Sequence, residues 1–399
     1  MYGVTKMKSI KILKLTFIAV IIGLLSGISI GVFLILLEKA IYLNLNYYNL
    51  IWMLPISGVL MTFLYKKFGG NSSKGNNIII ENINGSTEEI KFIMAPLVFV
   101  GTVLTHLFGG SVGREGTGVQ IGGTIGNYLC KMINKNQDKK ILLISGVAAG
   151  FSSVFGTPLT GTVFALEVSY IGSLSYDSML PAITAAIVGD RVVRFLGVKH
   201  THFNIPPVEP FMFTNILRII ALAICFGLAS KLFIDMTKLF KYVLGKYISN
   251  NYLKIFVGGS LMMIATLIIG NRMYNNLSLG LLTDAFIKEV PNFAFLIKLV
   301  LTTLCLGAGY QGGEVTPLFV IGATLGSTLS NIFGVPRSVA AALGLVGVFA
   351  GATNAPIACF IMYLELFGSV NIVFAMSVCI ISVIISGKGG IYSSQLWVE

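Results

Sequence analysis

Charge is what this chain has least of. Of its 399 residues only 11% are Asp, Glu, Lys or Arg, against roughly 25% in soluble domains, while 55% are hydrophobic and the mean hydropathy is +0.85. That composition belongs in a bilayer. Acidic residues are scarcer still, 16 against 28 basic ones, for a net charge of +12. The basic side chains scatter through short polar gaps between apolar runs instead of lining one face, so no nucleic-acid partner is expected and they read as cytoplasmic flanks. Lys6, Lys8, Lys11 and Lys14 precede the first run, and Lys131, Lys135, Lys139 and Lys140 fill a later gap, which puts both ends of the chain in the cytoplasm. The run from Leu15 to Leu37 has no A-x-A-like cleavage site and reads as a retained helix.

Cysteine and histidine are equally sparse. Cys130, Cys225, Cys305, Cys359 and Cys379 form no CxxC pair and mostly sit in apolar runs, so no disulfide framework or zinc site follows. His106, His200 and His202 are too few and too badly spaced for a metal cage, and no cofactor is expected. There is no H-E-x-x-H motif. Gly109-Gly110-Ser111-Val112-Gly113 matches a nucleophile elbow with His106 nearby, but this segment joins two membrane helices and not a strand to a helix. An enzyme is not expected.

Against this background two glutamates stand out, each in a glycine-rich cradle: Gly113-Arg114-Glu115-Gly116-Thr117 and Gly312-Gly313-Glu314-Val315-Thr316-Pro317. A carboxylate in hydrocarbon is costly enough to mark a functional site, and one that takes up H⁺ can carry it. Backbone amides at a helix N-terminus attract anions. Acid and amide cradle together point to proton-coupled anion transport.

The cradles are part of a longer repeat. Gly146-Val147-x-Ala149-Gly150 leads to Pro158 and Glu167, as Gly347-Val348-x-Ala350-Gly351 leads to Pro356 and Glu365. Gly122-Gly123-Thr124-Ile125-Gly126 matches Gly322-Ala323-Thr324-Leu325-Gly326. These are two halves of one fold. Apolar segments run from 12–43 to 370–386 with the largest polar gap at Gly69–Glu89, and the stretches Ala148–Thr157 and Pro356–Phe367 are too short to cross, as in transporters with broken helices. Glu167 and Glu365, each ending an apolar run, read as structural groups that satisfy helix-end amides.

The motifs Gly113-Arg114-Glu115-Gly116-x-x-Val119-Gln120, Gly146 to Glu167, and Gly313-x-x-x-Pro317 resemble the CLC family of anion channels and anion/proton antiporters over most of the chain. The resemblance implies an all-α integral membrane protein of two inverted repeats with many short, tilted and broken helices, assembled as a homodimer in membrane lipid. It makes Glu115 the gating glutamate, with Gly113, Arg114, Gly116 and Thr117 around it, and Tyr392 an inner-gate hydroxyl. Where chloride-handling members carry Gly-Ser-Gly-Ile-Pro this chain has Gly75-Asn76-Asn77-Ile78-Ile79, Val315 replaces a Phe preceded by Glu314, Thr117 replaces a Pro, and Val168 stands where an intracellular proton glutamate is expected. These departures resemble the fluoride/proton antiporter branch. A strongly hydrated anion needs strong donors, which the Asn76 amide supplies better than a hydroxyl.

The expectation is therefore a proton-coupled fluoride exporter conferring fluoride resistance, with Asn76, Glu115, Glu314, Val315, Thr316 and Tyr392 along the ion pathway. A chloride/proton antiporter or passive chloride channel of the same fold is the alternative. Residues 1–399 are expected to form one multi-pass domain of a bacterial plasma membrane, with repeat one over about 15–198, repeat two over about 212–386 and a short C-terminal helix at 387–399.

Overall fold

The computed structural model describes residues 2–133, 136–200, 204–209 and 212–398; His202 and Lys135 lie outside them. Sixteen α-helices divide into two sets of eight. The first comprises α1 (Tyr2–Asn46), α2 (Leu54–Leu64), α3 (Asn76–Ile83), α4 (Met94–Leu107), α5 (Glu115–Met132), α6 (Lys139–Phe155), α7 (Pro158–Glu167) and α8 (Met179–Phe195). The second comprises α9 (Phe213–Tyr247), α10 (Asn251–Ile269), α11 (Leu279–Ile287), α12 (Ala294–Ala308), α13 (Val315–Phe333), α14 (Arg337–Thr353), α15 (Pro356–Phe367) and α16 (Ile372–Ser386). Among the described residues five stretches are long and apolar enough to cross a membrane: Lys11–Asn46, Tyr48–Lys74, Phe213–Tyr247, Asn251–Ile269 and Val315–Phe333.

Packing repeats with the sequence. Helix α5 lies on α6 through facing glycines, Gly122 on Gly146 and Gly118 on Gly150, and α13 lies on α14 through Gly322 on Gly344 and Gly326 on Ala340. A Cβ at any of these glycines would strike the opposite backbone, so close approach requires Gly there. Helix α1 runs parallel to α8, with Gly23 on Ala185, Gly27 on Gly189 and Gly31 on Leu196. In the second half α9 runs parallel to α16, the Ser382 hydroxyl donating to the Ala223 carbonyl and Gly227 packing on Ile385. Parallel first and last helices mean that each half starts and ends on opposite sides. With the N-terminal lysines inside, α8 ends outside, α9 starts there, and the second repeat is inverted.

Helices α7 and α15 tie the halves together. Both begin with Pro at the first position, where no intrahelical N–H is lost. The Glu365 carboxylate at the end of α15 accepts from the Leu159 and Thr160 amides at 2.9 and 2.8 Å and from the Thr160 hydroxyl at 2.6 Å. Reciprocally, Glu167 at the end of α7 accepts from the Ile357 and Ala358 amides at 3.2 and 2.8 Å. Each helix thus caps its partner's N-terminus, satisfying amides that would otherwise be orphaned in hydrocarbon.

Three local expectations are corrected. Ala148–Thr157 is no separate half-helix: it is the end of the 17-residue α6, and the break falls at Gly156, in the left-handed region with φ 74°. The polar gap 69–89 contains α3, and the stretch 271–291 of the second half contains α11; at eight and nine residues neither shows enough helical period to read. The C-terminal helix is absent from 387–398. Gly387, Gly389 and Gly390 disfavour it, and the chain passes through bends and a turn at 393–394 before Leu396–Trp397 (β2) pairs in parallel with Tyr170–Ile171 (β1).

Candidate ion-transport site

The two glycine cradles meet. Gly113 and Gly313 form an antiparallel bridge, exchanging N–H···O bonds of 2.5 and 2.8 Å, which brings the N-termini of α5 and α13 together. Glu115 opens α5 and is completely buried. Its Oε2 accepts from the backbone amides of Arg114 and Thr316 at 3.1 and 3.0 Å, and its Oε1 from the Thr316 hydroxyl. The Arg114 Nε lies 3.6 Å from Oε1. A buried carboxylate is tolerated only when donors replace its water. Here two amides, a hydroxyl, a guanidinium and two helix N-termini do so, and any small anion put in the carboxylate's place would meet the same donors.

The second carboxylate is close by. Glu314 stands just before α13, and its buried Oε2 has no hydrogen-bond partner among the described residues. A methyl at Gly116 would come 3.7 Å from that oxygen, 3.1 Å from Asn76 Nδ2 and 3.1 Å from the Gly313 Cα. Glycine at 116 therefore lets Asn76 and Glu314 converge on the first turn of α5. Asn76 begins α3 after Gly75, whose φ of 59° turns the chain sharply, and its Oδ1 is buried without a partner. Gln120 joins this cluster: its amide nitrogen lies beside Gly75 and its buried Oε1 also lacks a partner. Sequence reading quoted Gln120 within a motif but gave it no role. Its i+4 position from Gly116 was the available signal.

Two cavities border residues of this cluster. One of about 440 Å³ is lined by Glu38, Arg114, Lys199 and Thr316 with apolar groups including Phe155 and Phe319. It lies toward the C-terminal half of α1, the outer side. The other, about 10 Å³, lies among Asn76, Val119, Phe164, Val168 and Tyr392. Tyr392 is 5% exposed and meets Phe164 edge-to-face at 6.2 Å. The void beside Arg114 and Thr316 is thus far roomier than the one between Asn76 and Tyr392.

Other sequence candidates fall elsewhere. The Thr117 hydroxyl bonds the Thr102 hydroxyl at 2.6 Å, joining α5 to α4, and does not reach Glu115. Val315 is buried at the first position of α13, offering bulk and no donor from its side chain. Ser111 bonds Thr302 at 2.9 Å and the Tyr274 carbonyl at 3.1 Å, while the His106 ring bonds the Thr102 carbonyl at 2.8 Å, so no serine–histidine pair forms.

A family model described as voltage gated chloride channel matches residues 57–387, spanning both cradles, both capped helices and the repeat. The chain belongs to the voltage-gated chloride channel, or CLC, family. It is 39% identical over 385 residues, 95% of this chain and 85% of the relative, to a "Chloride/fluoride channel protein" of Pseudomonas syringae pv. tomato. It superposes on the crystal structure of a CLC-type fluoride/proton antiporter with a TM-score of 0.94 at 33% identity, covering 96% of this chain and 98% of that one. A slow cyanobacterial Cl⁻/H⁺ antiporter shares the fold alone, with a TM-score of 0.80 at 18% identity over 94% of this chain and 96% of that one. This CLC chain is an integral membrane protein of two inverted helical repeats, as its own packing requires.

Proposed function

We propose that this CLC protein exchanges cytoplasmic fluoride for external protons, so exporting fluoride and protecting the cell from it. The observation that carries the reading is the Glu115 carboxylate seated on the Thr316 amide and hydroxyl, with Asn76 and Glu314 meeting beside it at Gly116. The 39% identical relative is named for chloride and fluoride, and the 33% identical structure is a fluoride/proton antiporter. Charged, Glu115 fills the anion position; protonated, it loses its attraction to the helix N-termini and an anion can displace it. Protons enter from the outer cavity. Fluoride approaches from the inner side past Tyr392 and Asn76.

On this reading residues 1–399 form one transport domain, two copies associate in the lipid of a cell's plasma membrane, and no chemistry is catalysed. Proteoliposomes loaded with fluoride should release it and take up H⁺, and release chloride far more slowly. Chloride released as fast as fluoride sinks the fluoride reading, and fluoride flux without H⁺ movement sinks the exchange.

Selectivity should depend on Asn76. Fluoride loses more hydration than chloride on entering a dry site, so a lost strong donor harms it more, by about 1.5–3 kcal/mol for a hydrogen bond to a charged group. Asn76→Ser should lower the fluoride-to-chloride ratio of initial rates by up to about tenfold to a hundredfold. An unchanged ratio under the same proton gradient would assign selectivity to other groups.

A further inference from the structure

Ser394 is held by a single helix through all of its polar groups. Its amide donates to Asn77 Oδ1 at 3.2 Å, its hydroxyl donates to Glu81 Oε1 at 2.9 Å, and its carbonyl accepts from Asn84 Nδ2 at 3.5 Å. Positions 77, 81 and 84 follow the i, i+4, i+7 spacing, so one stripe along α3 and its C-terminal cap grips one residue of the C-terminal segment. Asn76 precedes Asn77 directly, and Tyr392 lies two residues before Ser394; both line the small inner cavity. The grip is braced from outside by Lys74, which bonds Glu81 at 3.1 Å and also Glu88.

The rest of the segment is fastened to other elements. Gln395 Nε2 donates to the Val168 and Thr353 carbonyls at 3.0 and 2.8 Å, the Ile391 amide donates to Ala352 at 2.9 Å, and β2 pairs with β1. Besides the Ser394 contacts, α3 is tied to this segment only indirectly among these bonds, through the Ser169 carbonyl, which accepts from Asn84 Nδ2 at 3.0 Å and from the Leu396 amide at 3.3 Å.

We propose that Ser394, with Asn77, Glu81 and Asn84, is a positioning clamp that makes Asn76 and Tyr392 move as one inner gate, and that this linkage keeps fluoride passage tied to proton passage. The proposal rests on the reading of the chain as a fluoride/proton exchanger with Asn76 and Tyr392 at the inner mouth. If donor and gate part, the mouth can open while Asn76 stays in place. Fluoride then slips through in cycles where Glu115 has not exchanged its proton. A clamp acts on the ratio of the two fluxes, not only on their rate.

The experiment measures fluoride and H⁺ fluxes together in proteoliposomes for the wild type, Ser394→Ala, Glu81→Leu and Glu81→Gln. The wild type must show coupled exchange; if it does not, the functional reading fails and not the clamp. With coupling present, Ser394→Ala and Glu81→Leu should each lower the number of protons moved per fluoride by about fivefold, the worth of one hydrogen bond. Glu81→Gln, whose amide oxygen still accepts from Ser394, should keep the wild-type ratio. Equal slowing of both ions at constant ratio in Ser394→Ala and Glu81→Leu would reduce the contacts to plain packing and overturn the proposal. A disulfide between Asn77→Cys and Ser394→Cys gives a check that tolerates poor folding of the other variants. If the two sides travel together, oxidation should leave turnover and ratio intact; arrest on oxidation, reversed by dithiothreitol, would show that they separate in each cycle, and the clamp is then wrong.

Discussion

Glu115→Gln should abolish proton movement. The Glu115 carboxylate receives the Thr316 amide and hydroxyl and the Arg114 amide, and it sits completely buried between two helix N-termini. Glutamine can occupy much of the same volume, and its carbonyl oxygen can still accept from Thr316, so the helix pair need not rearrange. What it lacks is a proton to bind and release. Removal of a positioned acid–base group typically lowers proton transfer by about a hundredfold or more. Proton uptake by Glu115→Gln proteoliposomes should therefore fall to the level of empty vesicles. The anion position is also left without its charged occupant, so any fluoride flux that remains should be insensitive to the proton gradient. Proton-coupled fluoride release by this variant at more than a few percent of the wild-type rate would remove Glu115 from the proton path.

How far the sequence could be read follows from what kind of contact decides each feature. The repeat was legible because inverted halves must solve the same packing problem twice. Gly122 and Gly126 of α5 recur as Gly322 and Gly326 of α13 because backbones that nearly touch exclude a side chain. The structural reading of Glu167 and Glu365 also agrees with the geometry, since a carboxylate at the end of an apolar helix needs donors and a neighbouring helix start supplies them.

Short-range pattern failed where the deciding contact is distant in sequence. Helix α3 was concealed by its asparagines. Asn77, Glu81 and Asn84 look like loop residues until Ser394, more than three hundred positions later, is set against them. The same separation explains the C-terminal error. Segment 387–398 is fixed by carbonyls of α14 and of the stretch after α7, partners that no local window contains. Thr117 shows the opposite case, in which proximity in sequence misleads. Two positions along α5 from Glu115 its side chain turns to α4 and bonds Thr102, as helical geometry dictates for residues that do not share a face.

On the proposed reading, the inner half of the proton's route turns on Glu314. The residue after Glu167 is Val168, an apolar side chain that relays nothing, so protons leaving Glu115 need another titratable group. Glu314 is placed to receive them: it precedes α13 as Glu115 opens α5, it borders Gly116, and its buried Oε2 is bonded to nothing among the described residues. Two carboxylates at the bridged starts of α5 and α13 repel when both are charged, and little water screens them. A proton on either one relieves that repulsion, and on the proposed reading an arriving fluoride renews it, which gives the anion a way to drive the proton onward. Glu314→Gln removes one partner while keeping the volume. Coupled exchange should fall by about tenfold to a hundredfold, the scale on which a single positioned acid contributes, while the purified protein keeps its elution volume and melting temperature. The measurement that decides is the H⁺-to-fluoride ratio. Turnover at the wild-type rate with the ratio unchanged would mean that Glu115 hands its proton inward without Glu314, and the unpaired carboxylate would need another explanation.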